Sequence, residues 1–445
     1  MSNYVYVKEN LKDETSLIIN HTNALQLGLV MKSCVYISFG TEKQYVNIKI
    51  CENISNNEIY LPQKIISALR LPLYVQFEVK VKENQIILGP YIGILLTKDS
   101  NKINEGSLRR LLNYVLDYPK LHGAVVVFAL DKVNKNNHTI EGYCYNPSLN
   151  SWNFETLSYP QSIYRRVGLN PSWKNHFLSS IGDTLYNNYY FNKFEMYEWL
   201  SKFHEIKKHL PHTILYEFPE DILSFLYNYK KILVKPISGM QGKGIVQISY
   251  EGDNIVFKYR KELKNIRISF KSEDEAISLI ESLFTSKKHI VQRHINLLKH
   301  YDSVIDFRVI MQKDESTDWV CNGIIGRIGE KESIVSNISS NGSAYLVEDL
   351  FRRFFSNSEV EIYALKEKFI SLAAKICTSI DHCGVNCGTL GLDLCIDTDG
   401  KMWLIEINNR DPDPTIALDA KDKFLYYKIK SSTLLYGKAL SGFKT

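Results

Sequence analysis

The stretch Ile232-Leu-Val-Lys-Pro-Ile-Ser-Gly-Met-Gln-Gly-Lys-Gly-Ile245 constrains the fold more than any other segment of the chain. A short apolar run delivers Lys235 into a loop with glycines at 239, 242 and 244, and a second apolar run, Ile245-Val-Gln-Ile248, follows at once. Glycines let backbone N–H groups approach a polyphosphate with no Cβ in the way. A Walker A loop would read G-x-x-x-x-G-K-[ST] and open a helix, whereas Lys243 is followed by Gly244 and a strand-like segment. The expected unit is strand–loop–strand, either a phosphate cover or a plain glycine-rich hairpin turn.

The chain has 445 residues, too many for one ordinary core, so two or three domains are expected. Its 44% hydrophobic and 23% charged residues place it among soluble globular proteins. A net charge of +5 is small for this length and the lysines alternate with acids, which gives nucleic-acid binding no compositional support. Eight cysteines are scattered without a C-x-x-C pair and no N-terminal segment resembles a secretory signal, so reduced thiols in a cytoplasm are the economical expectation. His382, Cys383 and Cys387 fit no common zinc spacing. No apolar run approaches the ~20 residues of a membrane span.

Three textures follow one another. Residues 1–88 carry short alternating runs, Cys34-Val-Tyr-Ile-Ser, Tyr45-Val-Asn-Ile-Lys-Ile and Tyr74-Val-Gln-Phe-Glu-Val-Lys-Val, with one short helix between Pro62 and Pro72, which describes a β-rich domain. From residue 89 to 185 the pattern is α/β: Gly89-Pro-Tyr-Ile-Gly-Ile, a helix through Leu108 to Leu116, then the continuously apolar Ala124-Val-Val-Val-Phe-Ala-Leu130 of a parallel sheet. Tyr159-Pro-Gln-Ser-Ile-Tyr-Arg-Arg166 reads as a strand whose Arg165 and Arg166 either face an anion or, as the blander expectation, lie on the surface. Residues 186–445 hold a helix expected from Lys193 to His209, the glycine-loop strands, a further helix from Asp274 to Phe284, strands at Ile290–Ile295 and Ile305–Ile310, and an amphipathic helix over 361–381.

Near the C-terminus, Gly391-Leu-Asp-Leu-Cys-Ile396 and Met402-Trp-Leu-Ile-Glu-Ile-Asn408 flank Asp397-Thr-Asp-Gly400, so a β-hairpin is expected. Centred on Thr398-Asp399, it pairs Asp393 with Leu404 and puts Asp393, Leu404, Glu406 and Asn408 on one face. Diagonal neighbours lie about 7–8 Å apart, close enough for their oxygens to share a cation. Two carboxylates and an amide carbonyl are hard ligands suited to Mg²⁺, which completes its shell with water and phosphate. The alternative is an ordinary solvated hairpin face, against which the apolar Leu404 argues.

The order of these features, a lysine before a helix, Lys-Pro-x-x-Gly-x-x-Gly-x-Gly, V-Q-R-H-I, D-x-R, S-N-x-x-x-x-G-S, L-D and E-I-N, resembles the ATP-grasp superfamily over residues 186–445. The full layout resembles the spore-coat-associated ATP-grasp proteins of the YheC/YheD type from endospore-forming bacteria. The resemblance implies a multi-domain α/β (α+β) architecture, an ATP-grasp domain preceded by a small α/β pre-grasp domain and the N-terminal β-rich domain, with ATP and Mg²⁺ as cofactors. It implies that Lys193 and Lys235 contact nucleotide phosphates, and that the loop with Ser238, Gly239, Gly242, Lys243 and Gly244 closes over them. Gln292, Arg293, His294 and Ile295 would line the adenine cleft largely through backbone groups. Arg308 and Arg327 would neutralise phosphate and intermediate charge, and Asp393, Glu406 and Asn408 would hold magnesium. The segment Asn409-Arg-Asp-Pro-Asp-Pro414 departs from the family's usual small-residue tail; Arg410 there either recognises a substrate carboxylate or pairs with Asp411 or Asp413.

The activity so implied is ATP-dependent joining of a small-molecule or peptide carboxylate to an amine through an acyl phosphate, in the cytoplasm or in association with a spore coat and its proteins. Phosphorylation of a hydroxyl, or a non-catalytic coat role, are the alternatives. Family-level function is analogy, so the site has to be argued from its own geometry.

Overall fold

The computed structural model describes residues 3–11, 13–239, 243–261, 264–285, 288–329 and 342–443. Strands between Asn3 and Gly89 close into a barrel that mixes parallel and antiparallel pairings, with Gln76–Lys82 antiparallel to both of its neighbours. Period-two alternation turns Val35, Ile37, Phe77, Val79, Ile86 and Leu88 into its interior. The expected short helix is Gln63–Leu69, bracketed as anticipated by Pro62 and the turn before Pro72.

A six-stranded sheet follows, with Tyr91–Thr97 between Ala124–Asn134 and Ser162–Arg165, both pairings parallel. Val125 to Phe128 are wholly buried, which is why that run is apolar without alternation. The helix expected to reach Leu116 spans Glu105–Leu111 and tightens into a 3₁₀ turn at Leu112–Tyr114. Neither arginine that closes the Ser162–Arg165 region is a surface residue: Arg165 is 3% exposed, and Arg166 is ion-paired to Asp411.

Two further six-stranded sheets carry the rest. In one sheet Lys231–Pro236 lies between Val246–Glu251 and His289–Arg293, backed by the helices Pro219–Tyr229 and Glu273–Leu283. In the other, Ser303–Lys313 lies between Trp319–Ile328 and Thr389–Ile396, which pairs in turn with Met402–Asn408. The helix Glu359–His382 packs Ile362, Phe369, Leu372, Ala373 and Ile376 on that second sheet. The helix expected over 193–209 is two pieces, Lys193–Leu200 and His204–Lys207. Ser201 Oγ donates to Glu198 O at 3.1 Å, a local bond that competes with the helical ladder where the two pieces part.

The helix Lys423–Leu440 ties the layers together. Gln312 Nε2 donates to Ile429 O at 3.1 Å and to Thr433 Oγ1 at 3.0 Å, and Ser162 Oγ donates to Gly437 O at 2.8 Å. Lys438 meets Glu78 of the barrel at 3.1 Å, with the lysine side chain only 1% exposed. A Cβ at position 437 would stand 2.9 Å from Tyr186 Oη, so glycine sets how closely this helix approaches the parallel sheet.

Candidate active site

Alternation along Lys231–Pro236 sends Ile232 and Val234 into the core and Leu233 and Lys235 into a cleft between the last two sheets. The cleft has a cavity volume of about 120 Å³ and is lined by residues of both walls, among them Lys193, Lys235, Gly239, Lys243, Gln292, Asp306, Arg327, Asp393 and Glu406. Lys235 belongs to the strand itself rather than to the loop, and is 6% exposed. Its Nζ donates to Gln292 Oε1 at 2.6 Å, and Gln292 Nε2 donates on to Thr213 Oγ1 at 3.0 Å. Burial, and to a smaller degree the charge of Lys193, brings the Lys235 ammonium down to about 8, against the opposing pull of Glu406.

Lys193 opens its helix behind an Asn192 cap and reaches across the cleft. Its Nζ donates to Gly239 O and to Glu406 Oε1, both at 2.9 Å, so one ammonium joins the glycine loop to the opposite sheet. Of the other loop residues expected here, Ser238 and Lys243 are exposed, Gly244 takes a left-handed φ of 75°, and Gly242 lies outside the described residues. The S-N-x-x-x-x-G-S segment is outside them up to residue 341.

Gln292, Arg293, His294 and Ile295 all line the cleft. The N–H of Arg293 donates to His212 O at 2.8 Å and that of His294 to Lys231 O at 3.2 Å, so these two backbone donors are already engaged. His294 is held neutral, down at about 3, by burial and by Lys231, Lys299 and Lys235 around it.

The second wall is a row of side chains at cross-strand positions. Arg327 pairs opposite Asp306, Arg308 opposite Asp393, and Asp393 opposite Glu406. The last pairing corrects the hairpin register. A β-bulge between Asp393 and Leu394 lets Ile405 share the cleft face with Glu406 and returns Leu404, wholly buried, to the core. Leu404 is therefore on the opposite face from the expected ligands, because one extra residue restores the side-chain phase.

The row is densely paired. Arg308 Nε and Nη2 meet the two Asp393 oxygens at 2.5 and 3.1 Å, Arg327 Nη2 meets Asp393 Oδ1 at 3.1 Å, and Arg327 holds Asp306 at 2.5 Å through both Nε and Nη2. Burial would raise Asp393, yet Arg308 and Arg327 overcome it and hold the carboxyl at about 2. The two guanidiniums are thus neutralised by two carboxylates rather than standing as open cations. Asn408 Nδ2 lies 3.4 Å from both Gly391 O and Asp393 Oδ2, which turns its Oδ1 away from Asp393. Among the described residues, Glu406 Oε2 and Asn408 Oδ1 receive no hydrogen bond.

A family model, YheC/D like ATP-grasp, matches residues 182–440, the part of the chain that holds both walls of this cleft. The chain belongs to the YheC/YheD-like ATP-grasp family. It is similar to the endospore coat-associated protein YheD of Bacillus subtilis (strain 168), 23% identical over 412 residues, covering 89% of this chain and 88% of that protein. It is likewise similar to YheC of the same organism, 22% identical over 286 residues, 58% of this chain and 77% of that one. Among solved structures, the VanG D-Ala:D-Ser ligase from Enterococcus faecalis aligns at 10% identity with a TM-score of 0.45, over 78% of this chain and 98% of that one.

A magnesium ion fits the donor chemistry at Glu406, which lines this ATP-grasp cleft, and Asn408 two residues on along the same strand face: Glu406 Oε1 is held by Lys193, while Glu406 Oε2 and Asn408 Oδ1 are the hard oxygens left to a cation. Asp393, the third expected ligand, reaches a cation only by sharing oxygens already held by Arg308 and Arg327. Arg410 is exposed and lies outside the cleft, and it pairs with neither nearby acid: Asp411 is taken by Arg166, and Asp413 Oδ1 caps Thr415 N at 2.9 Å. Residues that the sequence pattern left without a role also line the ATP-grasp cleft, namely Asp306, Lys299, Cys395 and Ile405. Asp306 and Cys395 were accessible to the period-two rule, being two residues from Arg308 and Asp393; Ile405 was hidden by the bulge.

Proposed function

We propose that this cleft binds ATP with magnesium and that the protein is an ADP-forming ligase that joins a carboxylate to an amine. The observation that carries the proposal is Lys235: a cation kept in a nearly closed position, whose hydrogen-bond partner among the described residues is a neutral amide, opposite a second lysine. A polyphosphate adds counter-charge beyond the Glu406 carboxylate that both lysines face. Lys193 and Lys235 hold phosphate oxygens from the two walls, and the Arg308–Asp393–Arg327–Asp306 row fixes the floor on which a carboxylate meets the terminal phosphate. Glu406 and Asn408 would hold magnesium, which lends positive charge to phosphoryl transfer. The carboxylate oxygen takes the γ-phosphoryl group, ADP leaves, and the amine displaces phosphate from the acyl phosphate to form the amide. The names of the two Bacillus relatives support placing this chemistry in spore-coat assembly.

ADP release measured with pools of amino acids and peptides, followed by product mass, tests the assignment. Release that requires a carboxylate and an amine together is expected; release supported by a lone alcohol would make the protein a kinase, and none with any pool would make it a non-catalytic coat protein. Glu406→Gln should raise the magnesium concentration for half-maximal turnover by about tenfold or more; an unchanged midpoint removes Glu406 from the metal site.

Nucleotide affinity should also depend on pH. Phosphate favours the charged form of Lys235, which is already populated below pH 8 and must be made by proton uptake above it. Affinity for ADP is therefore expected to fall between about pH 7 and 9, with proton uptake visible as a buffer-dependent binding enthalpy. The same fall in Lys235→Met would assign the titration elsewhere.

A further inference from the structure

Arg165 ends the strand Ser162–Arg165 and is almost completely enclosed. Its Nε donates to Asn187 O at 2.7 Å, and its guanidinium carbon lies 3.8 Å from the centroid of the Tyr190 ring. Nη2 is buried with no hydrogen-bond partner, and no carboxylate pairs with this side chain among the described residues. A guanidinium in that state has lost its water without gaining a counter-charge, which is costly unless an anion completes it.

Arg410 brings a second cation to the same ring, its guanidinium carbon 5.7 Å from the Tyr190 centroid. Burial, and to a smaller degree the charge of Arg410, pulls Arg165 below the usual arginine range, the signature of a locally uncompensated positive field. The acid best placed to offset it is committed elsewhere: Asp411 accepts from Tyr164 Oη at 3.2 Å and is ion-paired with Arg166.

The cluster is joined through Asn187 to the segment that follows the Glu406 and Asn408 strand. Asn187, whose carbonyl holds Arg165, also receives Gly388 N at 2.8 Å on its side-chain oxygen and directs Nδ2 to Asn409 O at 3.4 Å. Arg410 is two residues beyond Asn408, and Tyr190 three residues before Lys193. Both guanidiniums thus contact the Tyr190 ring at the seam between the sheet of Ser162–Arg165 and the segment after Asn408.

We propose that Arg165, Arg410 and Tyr190 form a subsite for a carboxylate that does not react, the free C-terminal carboxylate of an amine-bearing amino acid or short peptide. The proposal rests on the ligase reading for the role of that substrate. A planar carboxylate matches the guanidinium fork, and the Tyr190 ring contacts both guanidiniums. The nucleotide phosphates have their own partners in Lys193 and Lys235, so this second cationic site selects a different anion.

Two measurements on the full-length protein test it. With ADP and magnesium present, a random tripeptide library with free C-termini should be retained about tenfold or more over the same library amidated, the effect of one charge-assisted hydrogen bond. Arg410→Lys, at an exposed position that does not threaten folding, should bring the two libraries close to parity with ADP affinity unchanged; Arg165→Met should do the same if it folds. Equal retention, retention of neither library, or full preference in Arg410→Lys would overturn the subsite. ADP release is followed with the same libraries. Turnover without preference for the free acid sinks the subsite and leaves the ligase standing, whereas preference without turnover does the reverse.

Discussion

Lys235→Met is expected to reduce ADP-forming turnover by about a hundred- to a thousandfold, the usual loss when one preorganised donor to developing charge is removed. The fold should survive. Methionine retains most of the aliphatic stem and removes a charge that is costly to bury, while Gln292 keeps its bond to Thr213. Thermal unfolding should therefore shift by no more than about 4 °C in either direction. Alanine is the poorer probe, because truncating an enclosed side chain opens a cavity and confounds activity with stability. A folded methionine variant that releases ADP at the wild-type rate would take Lys235 out of the reaction.

Asp393→Asn should act first on stability. The carboxylate is shared by Arg308 and Arg327, and neutralising it leaves buried guanidinium charge unpaired, at a cost of about 3–5 kcal/mol. Urea unfolding should show that loss as a lower midpoint, whereas Glu406→Gln, at a more open position, should leave the midpoint nearly unchanged. The sign of the pH dependence follows from the carboxyl held at about 2 against its ordinary 3.8. Its contribution is complete above the ordinary value and is lost as pH falls toward 2, so wild type and variant should converge in acid. An Asp393→Asn protein with wild-type stability near neutral pH would mean that the arginine row does not depend on this carboxylate.

The contrast between these two acids was not readable from the sequence. Period-two alternation places Asp393, Glu406 and Asn408 on a common face in either register, but it carries no information on the bulge that exchanges Leu404 for Ile405. Nor does it say which carboxylate will be enclosed by arginines arriving from strands 85 and 66 residues earlier in the chain. The glycine segment was readable as strand–loop–strand because apolar runs on both sides of it are too short for helices and lack the helix-opening Ser or Thr after Lys243. Helix ends were less so: nothing in the apolar spacing over 193–209 marks the break after Leu200. Arg165 shows the widest gap. Two adjacent arginines at a strand end suggest a solvated surface, and only the three-dimensional arrangement of Tyr190 and Asn187 around Arg165 shows one of them to be enclosed.

The helix Lys423–Leu440 has a bearing on biosynthesis. Its contacts to Glu78, Ser162 and Gln312 join segments made early, midway and late, so the parallel sheet lacks one of its covering layers until the ribosome has moved past residue 440. Domains that can fold as units do so in order of emergence. Here the second layer of the molecule must wait, with Tyr186 and Ile92 uncovered on one side, while some 250 further residues are added, roughly 12–50 s at ordinary elongation rates. Nascent chains of this protein should therefore engage holding chaperones long after their barrel is complete, and release from them should coincide with the arrival of the last helix.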